Sequence, residues 1–134
     1  MQHENRYEKI LLVEDNDIDV ELVKRITRRL GLDLPIVRAR NGLEALEILK
    51  KPEQSKLLHP YLVLLDINMP LMDGFELLEH VSTYGPEIDV PIYMLSTSEA
   101  KIDRNKAEKY SVSGYLIKPI DKTSLMGVLA ADAA

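Results

Sequence analysis

Five short apolar runs, Lys9–Val13, Pro35–Ala39, Tyr61–Leu65, Pro91–Leu95 and Gly114–Ile117, set the strongest limit on how this chain can fold. Most are continuous rather than alternating, the pattern of strands in a parallel sheet covered on both faces. The segments between them have helical spacing. Ile18, Leu22, Val23, Ile26 and Leu30 fall on one stripe, and Gly31 is placed to stop that helix. Lys24, Arg25, Arg28 and Arg29 lie elsewhere around the cylinder and read as a solvated face. Asn41-Gly42-Leu43-Glu44 and Asp73-Gly74-Phe75-Glu76 each put a capping residue three positions before a Glu, so helices should begin there. Asp121 can cap a last helix running through Leu125, Met126, Val128 and Leu129. From Glu99 to Tyr110 the composition is helical but poor in large apolar residues, which predicts a weakly anchored, exposed helix. Lys51 to Pro60, mostly polar with two prolines, reads as a surface loop. Strand and helix thus alternate, which predicts a doubly wound α/β domain. Its five-stranded parallel sheet should have order 2-1-3-4-5, right-handed crossovers and helices on both faces.

At 134 residues the chain is expected to be one domain with its core from about 9 to 132, leaving no room for an effector domain. Hydrophobic residues make up 46% and charged residues 29%, enough to bury a single core and unlike a disordered chain. The balance of 17 basic and 22 acidic side chains gives a net charge of −5 with no basic tract, which argues against nucleic acid or an anionic membrane surface as partner. With no cysteine there is no disulfide framework, thiolate metal site or cysteine nucleophile, and a cytoplasmic location is expected. Met1–Arg6 lacks the apolar stretch of a signal peptide, and no apolar run approaches the roughly 18 residues of a membrane span. His3, His59 and His80 lack metal-ligand spacing, and no phosphate-binding glycine motif occurs.

The polar residues just past the apolar runs carry the chemistry. The first run leads into Glu14-Asp15, the third into Asp66, the fourth into Ser96-Thr97-Ser98 and the fifth into Lys118-Pro119. Ligands of doubly wound sheets bind outside the carboxyl ends of the strands at the switch point, where the first and third strands are neighbours. Three carboxylates would converge there. At an effective dielectric near 20, two unit charges about 4 Å apart repel by about 4 kcal/mol, so such a cluster needs a cation. An all-oxygen set with few protein ligands, leaving positions open for water and phosphate, suits Mg2+ better than a calcium cage. Taken singly, Asp15 or Asp17 could cap the first helix, Asp66 could begin a turn and Lys118 could be a surface lysine. The ordered combination at four strand ends is what stands out.

Val13-Glu14-Asp15-Asn16, Leu65-Asp66-Ile67-Asn68-Met69-Pro70, Met72-Asp73-Gly74, Ser96 and Tyr115-Leu116-Ile117-Lys118-Pro119 together resemble the receiver domain of two-component response regulators, in its single-domain, CheY-like form. The resemblance runs from about Lys9 to the last helix and implies a flavodoxin-like fold. It implies Asp66 as phosphoacceptor, and Glu14, Asp15, Asp66 and the Asn68 backbone carbonyl as ligands of Mg2+, for which Mn2+ could substitute. Lys118 would pair with the phosphoryl group, Ser96 would be the switch hydroxyl, Tyr115 the switch aromatic, and the Lys118–Pro119 bond would be cis. The family most often has Thr at position 96 and a smaller residue at 97. Ser96 is preferred to Thr97 as the switch because it lies twenty-two residues before Lys118. Asn68, Thr97 and Ser98 are the positions that could tune the rate of dephosphorylation. The implied partners are a sensor histidine kinase or histidine phosphotransfer protein and a downstream protein. The implied chemistry is self-catalysed phosphorylation and autodephosphorylation, so whether to class the protein as an enzyme is left open.

Three other readings compete. A flavodoxin-like cofactor module would hold a flavin phosphate on a Ser/Thr/Gly-rich loop after the first strand, where this chain has the repelling Glu14-Asp15-Asn16-Asp17. An aspartyl phosphatase of the haloacid dehalogenase type needs an acid two residues after its nucleophile, and position 68 is Asn. A receiver-like scaffold that never uses its site has the same residues as an active receiver, so only an assay separates the two.

Overall fold

The computed structural model describes residues 8–50, 61–67, 69, 72–84, 90–98, 105, 109–110 and 112–133. The loop expected over 51–60 lies outside them, as does most of the segment expected to be helical from 99 to 110. In chain order the described elements are β1 (Lys9–Val13), α1 (Asp17–Arg29), β2 (Ile36–Ala39), α2 (Gly42–Lys50), β3 (Tyr61–Asp66), α3 (Gly74–Tyr84), β4 (Ile92–Ser96), β5 (Gly114–Ile117) and α4 (Lys122–Ala133). The strands form one sheet in the order β2-β1-β3-β4-β5, and every neighbouring pair is parallel. The doubly wound sheet with order 2-1-3-4-5 is therefore the observed architecture. No helix among the described residues is long and apolar enough to cross a membrane.

The continuous apolar runs are explained by the two faces they serve. Side chains alternate across a strand, so odd and even positions of one run face opposite layers. Leu11, Val13, Val63, Leu65 and Met94 pack with Ala45 and Leu46 of α2 and Leu77, Leu78 and Val81 of α3. Ile10, Leu12, Leu62, Leu64, Tyr93 and Leu95 pack on the other face with Val20, Val23 and Ile26 of α1 and Leu125 and Val128 of α4. β1 and β3 lie at the centre of the sheet, and every residue of β3 is buried.

Local signals place the helices. Asn16, rather than Asp15 or Asp17, caps α1, its side chain accepting from the Ile18 and Asp19 N–H groups at 2.9 and 3.2 Å. At the other end Gly31 has φ +67°, its N–H donates to the Arg28 carbonyl, and the Leu32 N–H donates to the Thr27 carbonyl. This is the paired bonding of a Schellman stop. Asn41, Asp73 and Asp121 each accept from the backbone N–H three residues on, at 2.9, 2.9 and 2.8 Å, capping α2, α3 and α4 as expected. One expectation fails: Ile18 is 79% exposed, and Val20 takes its place on the buried stripe. From Val23, three residues back is Val20 and three and four residues on are Ile26 and Thr27, so the buried arc is rotated away from position 18.

The start of α2 is packed against the segment after β3. A Cβ built on Gly42 would lie 2.7 Å from Met72 Cγ and 2.8 Å from the Met72 carbonyl oxygen, so no side chain fits without movement. Gly127, inside α4, meets nothing within 4 Å. Gly42→Ala should therefore lower stability by about 1–3 kcal/mol through overpacking, whereas Gly127→Ala should raise it by about 0.5–1 kcal/mol through helix propensity. Urea denaturation midpoints check both; an unchanged midpoint for Gly42→Ala would show that Met72 gives way freely.

Candidate functional site

The two-residue period that sorts the core also gathers the polar groups. Glu14 continues the face of Ile10 and Leu12, Asp66 that of Leu62 and Leu64, and Lys118 that of Leu116, all on the side covered by α1. Asp19, in the first turn of α1, is brought to the same place. The Lys118 ammonium forms a salt bridge with Glu14 Oε1 and lies 3.2 Å from Asp19 Oδ2 and 3.3 Å from Asp66 Oδ2. Glu14, Asp15 and Asp66 each offer a carboxylate oxygen within 4.8 Å of the others. Glu14 is fully buried, Asp66 and Ser96 nearly so, and Asp15 is exposed.

Glu14 Oε2 is buried with no hydrogen-bond partner among the described residues. An orphaned buried acceptor beside two more carboxylates is a donor set that fits a hard divalent cation such as Mg2+. Without a cation, burial pushes the Glu14 carboxyl up to about 9, the neighbouring Asp66 and Asp19 carboxyls adding to the rise and Lys118 opposing it. The Asp19 carboxyl is held below its usual range, first by its hydrogen bond with Glu14 and then, against burial, by Lys118. Burial on its own disfavours the charged Lys118 ammonium, but the Glu14 hydrogen bond and the Asp66 and Glu14 charges outweigh it and raise its pKa.

The remaining expected residues fall around this centre. The Ser96 hydroxyl donates to the Ser98 carbonyl at 2.8 Å and accepts from the Ser98 N–H at 3.3 Å, closing a tight turn at the end of β4. Thr97 is exposed, Ser98 and Tyr115 are half-buried, and Tyr115 packs against the α2/α3 core. The Lys118–Pro119 peptide bond is cis, and the Lys118 N–H donates to the Ser96 carbonyl at 2.7 Å. Asn68 lies outside the described residues.

Two residues of the site went unread in the sequence. Asp19 lies in the first turn of α1, three residues after the Asn16 cap, which brings it to the carboxyl end of β1. Arg38, a charged residue inside an apolar strand, donates from Nε to the Glu14 carbonyl and from Nη2 to the Asp15 carbonyl, both at 3.0 Å. Lys118 thus meets the carboxylates of the cluster, while Arg38 meets the backbone that carries two of them.

The chain belongs to the response regulator receiver domain family, whose model matches residues 10–130. It is 37% identical over 111 residues to the probable methanogenesis regulatory protein FilR2 of Methanothrix harundinacea, covering 83% of this chain and 72% of that protein. It is 35% identical over 111 residues to a chemotaxis protein CheY homolog of Campylobacter jejuni, covering 83% and 81%. The solved bacteriophytochrome response regulator AtBRR superposes with a TM-score of 0.78 at 29% identity, covering 92% of this chain and 91% of that one. Receiver domains accept phosphoryl groups in two-component signalling, bind Mg2+ at an acidic site and work with histidine kinases or phosphotransfer proteins and downstream effectors.

The buried acid has a measurable signature. Between its ordinary value of 4.5 and about 9, Glu14 keeps its proton in the folded chain and loses it in the unfolded one. The folded state then binds more protons, so metal-free stability falls as pH rises through that window. Glu14→Gln should flatten the slope while leaving the rest of the profile intact. Denaturant titrations at a series of pH values check this, and parallel curves for the two proteins would contradict it.

Proposed function

We propose that this chain is a phosphoacceptor whose Asp66 takes a phosphoryl group from a histidine kinase or histidine phosphotransfer protein. The observation that carries the reading is the placement of Asp66, a nearly buried carboxylate 3.3 Å from the Lys118 ammonium and within reach of Glu14 and Asp15. A carboxylate attacks phosphorus in line: the new O–P bond forms as the P–N bond of the phosphohistidine breaks, and its electron pair leaves on the imidazole nitrogen. The product is an acyl phosphate, and water attack on phosphorus returns the carboxylate. Mg2+, when bound by Glu14, Asp15 and Asp66, would offset charge on the transferring oxygens. Lys118 supplies a fixed positive charge from the β5 side, already oriented by Glu14 and Asp19.

The switch assigned to Ser96 is a competition between hydrogen bonds. Its present bond to the Ser98 carbonyl is neutral and contributes about 0.5–1.5 kcal/mol, whereas a bond to a charged phosphoryl oxygen contributes about 1.5–3 kcal/mol. Phosphorylation of Asp66 therefore favours turning the hydroxyl away from Ser98 and toward the site. The vacated turn gives half-buried Tyr115 room to repack, and the altered β5 surface is what a downstream protein would read in the cytosol.

Incubation with Mg2+ and acetyl phosphate, followed by intact mass measurement, should add one phosphoryl group to the wild type and none to Asp66→Asn. Equal labelling of the two would move the acceptor elsewhere. Ser96→Ala should still be labelled but lose most of the phosphorylation-dependent chemical-shift change at Tyr115. Wild-type shifts in that variant would assign the switch to another group.

A further inference from the structure

Arg38 stands in β2 opposite Leu12 of β1, and its side chain crosses to the loop between β1 and α1. One guanidinium makes three contacts there. Nε and Nη2 donate to the carbonyls of Glu14 and Asp15, both at 3.0 Å, and Nη1 lies 2.6 Å from Asp17 Oδ1. The Arg38 side chain is 17% exposed, and its bond to the Glu14 carbonyl is part-buried, while Asp15 and Asp17 lie at the surface. The two carbonyls belong to the two residues of this loop whose carboxylates join the acidic cluster. Asp15 is exposed, and the backbone that Arg38 holds sets where its side chain leaves the chain.

We propose that Arg38 is a positioning residue of the acidic site: its planar fork fixes the Glu14–Asp15 backbone so that both carboxylates meet a divalent cation together with Asp66. This rests on the reading of that cluster as the cation site. A guanidinium matches two carbonyls and a carboxylate at once, which a lysine ammonium cannot do in the same geometry. The sign of the effect separates this role from simple charge. By Coulomb's law, deleting a positive charge near the site tightens cation binding. Losing the clamp on ligand residues instead weakens it, as loss of ligand-orienting groups does elsewhere, by about 10- to 100-fold.

The test is isothermal titration calorimetry with Mg2+ alone on the full chain, on variants shown by circular dichroism to be folded. Arg38→Gln should bind Mg2+ at least about 10-fold more weakly, and Arg38→Lys, which keeps the charge, should also be weakened. Asp17→Asn, which leaves both carbonyl contacts in place, should stay close to wild type. Binding by Arg38→Gln as tight as wild type or tighter, or wild-type affinity in Arg38→Lys, overturns the proposal; the lysine variant alone decides it if the glutamine variant does not fold. Asp15→Asn is the control for the underlying reading. If it weakens Mg2+ binding while the Arg38 variants do not, the positioning role alone fails. If it too leaves the affinity unchanged, the cluster is not the cation site and both fail.

Discussion

The arrangement at the carboxyl ends of the strands depends on one ammonium placed among acids that burial would otherwise forbid. Lys118 touches Glu14, Asp19 and Asp66, contributed by the end of β1, the first turn of α1 and the end of β3. A largely buried ammonium that lost these acceptors would have neither water nor a counter-ion in their place, which carries a desolvation penalty. That penalty ties three parts of the fold together. The order β2-β1-β3-β4-β5 puts β1 and β3 side by side, the two-residue period turns Glu14, Asp66 and Lys118 to one face, and α1 covers that face with Asp19.

The same arrangement makes the site responsive. Glu14 is held with one oxygen lacking a hydrogen-bond partner among the described residues and with a raised affinity for its proton. Asp66 is nearly buried at the end of β3, and at the end of the neighbouring β4 the Ser96 hydroxyl bonds to the backbone of the following turn. A rigid sheet thus carries side chains whose hydrogen bonds can be exchanged at small cost, which is what a two-state signalling domain needs. Arg38, from β2, bonds to the backbone of the loop that carries Glu14 and Asp15.

Much of this was legible in the sequence because burial on two faces leaves a strong mark. The runs from Lys9, Tyr61 and Pro91 are apolar at both odd and even positions, and only a sheet with helices on each side requires that. Asn41, Asp73 and Asp121 were legible as caps because capping is settled within four residues. Ile18 was misplaced because a helical stripe read from its first turn is ambiguous by one position, and Val20 fits the arc better. Asp19 and Arg38 were missed for a different reason. Asp19 meets Lys118 from 99 residues away and Arg38 meets Glu14 from 24, so even a charge inside an apolar strand does not name its partner until the sheet is assembled.

The central claim is that Asp66, Lys118 and Ser96 form one phosphoryl site, and a structure of the protein with Mg2+ and beryllofluoride tests it most directly, since that anion mimics a phosphoryl group on a carboxylate. The expected result is beryllium bonded to an Asp66 carboxylate oxygen, with one fluorine against the Lys118 ammonium and another against a Ser96 hydroxyl that has left the Ser98 carbonyl. Beryllofluoride bound at another residue, or bound at Asp66 with Ser96 still bonded to Ser98 and Lys118 turned away, would contradict it.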